Sequence, residues 1–137
     1  MNPDGFVLDT SALLTLIEDE QGAERVDQVL RTEQVWIPWM VLLEVNYISR
    51  QERGEAEADR RYALIKQLPV TILWDVDEPT LLTAARFKAS YHLSLADAII
   101  AAFALQLNAA LLHKDPEYEI LAGQLPSEAL PYNRNTS

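Results

Sequence analysis

The sequence contains no cysteine. That excludes disulfides, thiolate zinc sites and thiol nucleophiles, and it fits a protein of the reducing cytoplasm. Histidine is nearly as scarce, since His92 and His113 stand alone, so no histidine cluster exists to bind a metal. Basic charge is in deficit: 11 Lys and Arg face 21 Asp and Glu, for a net charge of −10. Phosphate repels so acidic a chain, and composition alone therefore points away from nucleic acid and toward basic partners. No basic segment followed by an apolar one opens the chain, which leads us to expect no secretion signal. No apolar run is long enough for a bilayer either, because the most apolar stretch, Ala96 to Leu112, is interrupted by Asp97, Gln106 and Asn108. Repeats, low-complexity tracts and linkers are lacking. The 137 residues are thus read as a single domain, 1–137, with one core and a poorly ordered tail after about residue 131.

What is present is an alternation of strand and helix signals, the pattern of an α/β fold with a parallel sheet. Gly5 to Asp9 reads as a strand, followed by a helix over Ser11 to Ile17 and a second over Ala23 to Arg31. Val35-Trp36-Ile37 is a short strand. Pro38 suits the first helical turn, where its missing N–H costs nothing, and that helix runs to about Arg50. Helix signals follow over Ala56 to Leu68, Glu78 to Tyr91 and Ser94 to Leu107. Strand signals cover Val70 to Trp74 and Ala109 to His113, with a last short strand around Leu130. Asp115-Pro116 opens a turn or short helix.

Four carboxylates stand out. Asp9 ends an apolar run where a helix begins. It suits an N-cap, but in open parallel sheets ligands bind at the carboxyl ends of strands. Glu44 has Met40, Val41, Tyr47 and Ile48 as its helical neighbours, a face on which an unpartnered charge is costly to bury. Asp97 follows Ser94 at capping-box spacing, on a helix apolar nearly all round and therefore central. Asp115 sits after an apolar strand, as Asp9 does. Each alone reads more readily as structural. Jointly, like charges gathered in one place are destabilising unless protonated or bound to metal. Hard oxygen donors suit magnesium, which needs few carboxylates.

These four positions, in order, resemble the motifs of a PIN domain, most closely a VapC-type toxin ribonuclease. Leu8-Asp9-Thr10-Ser11-Ala12-Leu13 is similar to the first motif and Val41-Leu42-Leu43-Glu44-Val45 to the helical glutamate. Ser94-Leu95-Ala96-Asp97-Ala98-Ile99-Ile100-Ala101-Ala102 resembles the third motif and is the most specific. Leu111-Leu112-His113-Lys114-Asp115-Pro116-Glu117-Tyr118 resembles the fourth. The family often has threonine or serine where His113 stands, so the hydroxyl contact of that position is in question. Whether Glu117 or Glu119 supplements Asp115 is left open.

The resemblance implies a three-layer α/β/α sandwich with a central parallel sheet, and Mg²⁺- or Mn²⁺-dependent endoribonuclease activity. Asp9, Asp97 and Asp115 would hold metal, and Glu44 would orient a water or complete the coordination. Ser11 would support a neighbouring carboxylate with its hydroxyl, and Thr10 would serve the helix start. The resemblance also implies an antitoxin partner whose basic residues enter the acidic site. Apolar surface on the helices over Ser11 to Ile17 and Pro38 to Arg50 is read as a homodimer or antitoxin contact.

His113 reads as packing or a substrate contact. Arg50, Arg53, Arg60, Arg61 and Lys66 read as a solvated face paired with Glu52, Glu55, Glu57 and Asp59, and otherwise as a rail for an RNA backbone. Trp36, Trp39 and Trp74 read as core or interface residues. Two other functions compete. One is a receiver-like signalling domain phosphorylated on Asp75; the other is a catalytically silent PIN-like binding module.

Overall fold

The computed structural model describes residues 2–132. Its elements alternate as the residue pattern demands: β1 (Phe6–Leu8), α1 (Thr10–Ile17), α2 (Ala23–Thr32), β2 (Val35–Pro38), α3 (Trp39–Arg53), α4 (Glu55–Lys66), β3 (Thr71–Leu73), α5 (Glu78–Ser90), α6 (Leu95–Gln106) and β4 (Ala110–His113). A 3₁₀ helix (Pro116–Leu121) and β5 (Ser127–Ala129) complete the chain. The five strands form one all-parallel sheet in the order β3-β2-β1-β4-β5.

β1 lies at the centre, with Val7 between Trp36 of β2 and Leu111 of β4. Strands covered on both faces need apolar side chains throughout. Val7, Leu8, Leu111 and Leu112 are accordingly buried to the last atom. Close approach of β1 to the chain entering β2 demands Gly5, since a Cβ there would lie 2.4 Å from the Gln34 carbonyl oxygen.

Parallel neighbours need crossovers, and these are right-handed in nearly every protein. The connections β1 to β2 and β2 to β3 then place α1 to α4 over one face. The reversed connection β3 to β4 places α5 and α6 over the other, giving three layers. The direction reverses between β1 and β4, and a crevice opens beyond the carboxyl ends of strands at such a switch point. Asp9 follows one of these two strands and Asp115 the other.

Several boundaries differ from the sequence reading. Pro38 ends β2 and, still extended (φ −65°, ψ 149°), caps α3 instead of entering it. Helix α3 runs on to Arg53, until Gly54 turns the chain with φ +91°. Helix α4 stops at Lys66, and β3 excludes Val70 and Trp74. The last strand is Ser127-Glu128-Ala129, with Leu130 just beyond it. An edge strand half open to solvent carries no apolar alternation to betray it. The tail expected to fray lies largely in residues 133–137, outside the described residues.

Candidate metal centre

Asp9 performs the capping role its position suggested. Its backbone is extended, and one carboxylate oxygen accepts the Ala12 N–H at 2.8 Å. The Ser11 hydroxyl lies 2.8 Å from both Asp9 oxygens and donates to the carboxylate, while it accepts the Lys114 N–H at 2.8 Å. Ser11 therefore pins the start of α1 to the end of β4 across the switch point. Asp9 is only 2% exposed. Burial pushes its carboxyl up to about 8; the Ala12 and Ser11 hydrogen bonds oppose this, and Asp97 and Asp115 add to it. An acid held neutral at physiological pH for want of a countercharge marks a place suited to a cation.

Glu44 projects from α3, half-buried, and accepts the Thr10 hydroxyl at 2.6 Å. This corrects the expected role of Thr10. Asp9 caps α1, and the Thr10 hydroxyl is free to reach a residue 34 positions away.

Asp97 enters through the N-terminus of α6, where Ser94 accepts its N–H at 3.1 Å. Its carboxylate accepts the Tyr118 hydroxyl at 2.9 Å. Burial pushes the Asp97 carboxyl up to about 7; Asp115 and Glu117 press the same way, and the Tyr118 bond opposes them. Asp115 caps the 3₁₀ helix by accepting the Glu117 N–H at 3.0 Å, a turn that brings Glu117 back beside it.

The result is a set of three carboxylates, from Asp97, Asp115 and Glu117, each offering an oxygen within 4.8 Å of the others. Asp9 and Glu44 line the same cavity of about 310 Å³, together with Thr10, Ser11 and Ser94. They lie outside the tight set of three. Of the two glutamates left open, Glu117 joins Asp115, whereas Glu119 accepts the Tyr132 hydroxyl at 2.9 Å. The donors are carboxylate oxygens only. Such a set fits a hard divalent ion such as Mg²⁺ or Mn²⁺ better than a thiophilic or imidazole-seeking one.

His113 is buried and packs. Its ring lies 4.9 Å from that of Tyr118, its Nδ1 accepts the Asp115 N–H at 3.2 Å, and burial lowers its pKa. The basic stretch is spent on internal pairs: Arg50 with Asp59 at 2.9 Å, Arg60 with Glu57 at 2.6 Å, Arg53 with Glu18 at 3.2 Å. Arg61 is buried and reaches both Glu57 (3.2 Å) and Ser49 (3.1 Å). Lys66 stands over the ring of Trp74, which is exposed, while Trp36 and Trp39 are half-buried. A cavity of about 600 Å³ beside α5 and α6 is walled by Trp39, Leu81, Ala85, Leu95 and Ile99. It is apolar and gathers no acid–base or metal-ligating set.

Asp75 does not fit a phosphoacceptor site. It follows β3, the edge strand, and borders a separate cavity with Asp77 and Gln106. The acidic crevice lies between β1 and β4, so the receiver-like reading is set aside.

The PIN domain profile matches residues 6–124. By sequence, no curated protein matches the chain. Solved structures share the fold at low identity. VapBC2 from Rickettsia felis, bound to a DNA fragment from its promoter, contains a chain with TM-score 0.75 and 14% identity, covering 92% of this chain and 98% of that one. VapBC-1 from nontypeable Haemophilus influenzae gives TM-score 0.71 and 21% identity, with 90% and 96% covered. VapC20 of Mycobacterium tuberculosis, described as a toxin cleaving the Sarcin-Ricin loop, gives 0.70 and 15%, with 93% and 100% covered.

Proposed function

The chain belongs to the PIN domain family, and from that premise we propose that it is a metal-dependent endoribonuclease, the toxin of a toxin–antitoxin pair. The observation that carries the proposal is the convergence of Asp97, Asp115 and Glu117 within 4.8 Å in a cavity that Asp9 and Glu44 also line. Asp97, Asp115 and Glu117 would hold Mg²⁺ or Mn²⁺, and Asp9 would add its carboxyl from the wall of the same cavity. When bound, such an ion polarises a phosphodiester and lowers the pKa of a coordinated water. Glu44, anchored by Thr10, would orient a water for attack. Ser11 keeps the Asp9 carboxylate in one plane. The acidic cavity by itself repels RNA, so the cation is needed for substrate approach as well as for chemistry.

The partner is an antitoxin whose basic residues complement this cavity. Two of the structural neighbours are VapBC assemblies, and the net charge of −10 suits a basic partner. Exposed Leu43 and Tyr47 on α3 would contribute to a homodimer or antitoxin contact. No helix among the described residues is long and apolar enough to cross a membrane, and we assign the protein to the cytoplasm. The whole chain acts as one domain.

The test is cleavage mapping on total RNA. Defined cuts that require Mg²⁺ or Mn²⁺, stop with EDTA and vanish in Asp97→Asn are the expected result. Undiminished cleavage by Asp97→Asn would overturn the assigned site, and failure of the purified protein to bind divalent metal or cut RNA would overturn the proposal and leave the silent binding module as the reading.

A further inference from the structure

Tyr118 has one polar atom and almost no access to solvent, with 1% of its surface exposed. A buried phenol must find a partner, and any acceptor would satisfy it. Here the acceptor is Asp97, 21 residues away on a different element. That bond joins the start of α6 to the 3₁₀ helix. The first of these segments carries Asp97, and the second follows Asp115 and carries Glu117. The phenol therefore spans the gap whose width decides whether three carboxylate oxygens fit around one ion.

His113 makes the span rigid. Its ring lies tilted at 55° against the Tyr118 ring, its Nδ1 holds the Asp115 N–H, and its carbonyl accepts the Leu130 N–H at 2.7 Å. The ring is thus held by the Asp115 amide and packs against the phenol. We propose that Tyr118 is a positioning residue of the acidic centre: its hydroxyl clamps Asp97 at the distance from Asp115 and Glu117 that a divalent ion requires, with His113 as the wedge that fixes the phenol. The inference rests on the metal centre proposed above and assigns a residue to its geometry.

Tyr118→Phe removes one oxygen and keeps the ring, so a purely packing role predicts no effect on metal. Manganese titration calorimetry on the purified full chain reads the difference. Partners that orient metal ligands typically matter 10- to 100-fold in affinity. We expect the Mn²⁺ Kd to rise about 10-fold or more in Tyr118→Phe, with a melting temperature within about 3 °C of wild type. RNA cleavage should fall at limiting Mn²⁺ and return at saturating Mn²⁺. A variant Kd within twofold of wild type overturns the positioning role and leaves the metal centre intact. A wild-type protein that binds no Mn²⁺ overturns both. Should the phenylalanine variant fail to fold, wild-type protein decides: Mg²⁺ titration must perturb the near-ultraviolet signal of a buried tyrosine, and an unchanged spectrum refutes the clamp.

Discussion

Replacing the buried Asp9 carboxyl, which folds only by keeping its proton, should stabilise the metal-free protein by an amount that depends on pH in a defined direction. In the folded chain burial holds the Asp9 carboxyl near 8, against 3.8 when it is free. Below pH 3.8 both states carry the proton and Asp9 contributes nothing. Between the two values the folded chain keeps a proton that the unfolded chain has released, so stability falls as pH rises, by about 1.4 kcal/mol per unit. By pH 7 the deficit approaches ~4 kcal/mol, and above about 8 it levels off.

Asp9→Asn retains an oxygen to accept the Ala12 N–H and the Ser11 hydroxyl, so the cap survives while the penalty disappears. Part of the gain is lost because the new amide N–H₂ needs partners of its own. We expect a net gain of about 2 kcal/mol at pH 7, or roughly 6–10 °C in melting temperature for a chain of this size. The assay is thermal unfolding followed by circular dichroism in EDTA, at intervals from pH 4 to 8. The wild-type melting temperature should fall across this range and the variant's should fall less, with the curves crossing between about pH 5 and 6 and the variant the less stable near pH 4, where only the amide cost is left. Saturating Mg²⁺ at pH 8 should raise the wild-type value by ligand linkage and the variant's by much less. Parallel curves with a constant gap would refute the reasoning.

Thr10→Val releases Glu44 from its 2.6 Å bond. RNA cleavage should fall about 10-fold while unfolding shifts by less than ~1.5 kcal/mol, the net worth of one such bond. Arg61→Met leaves Glu57 its Arg60 partner but strips Ser49 of its donor inside the protein. Urea unfolding should show a loss of about 2–3 kcal/mol, with Mn²⁺ affinity unchanged. Gly5→Ala drives a methyl into the Gln34 carbonyl and the Trp36 ring, 2.4 and 2.8 Å away. It should cost about 1–3 kcal/mol by the same measurement, because neither strand can give way without disturbing the sheet.

The central strands were legible because burial on both faces leaves continuous apolar runs such as Leu111-Leu112. Helix α6 was legible for the same reason. The edge strand β5 was legible near Leu130 but not in its bounds, because Ser127-Glu128-Ala129 carries no apolar alternation. Position along the strands also indicated that Asp9 and Asp115 come together, since a parallel sheet delivers its carboxyl ends to one side. What local sequence could not reveal was side-chain pairing across the fold. Thr10 with Glu44 and Tyr118 with Asp97 each join elements distant in the chain, and neither spacing is a helical or strand repeat. Glu117 lay between these cases. Its nearness to Asp115 was visible, but only the turn closed by its own N–H separates it from Glu119 as the residue that faces Asp97.

The Ser11 hydroxyl meets an amide 103 positions further along the chain, and Asp115 and Glu117 come later still. A polypeptide emerging from the ribosome therefore completes its first strand long before the β4 strand can slot in beside it. Chains released before that point would lack Asp115 and Glu117, two of the three gathered carboxylates. On the reading proposed above, the order of synthesis thus acts as a safeguard, because the acidic centre cannot close before Asp115 and Glu117 have been made.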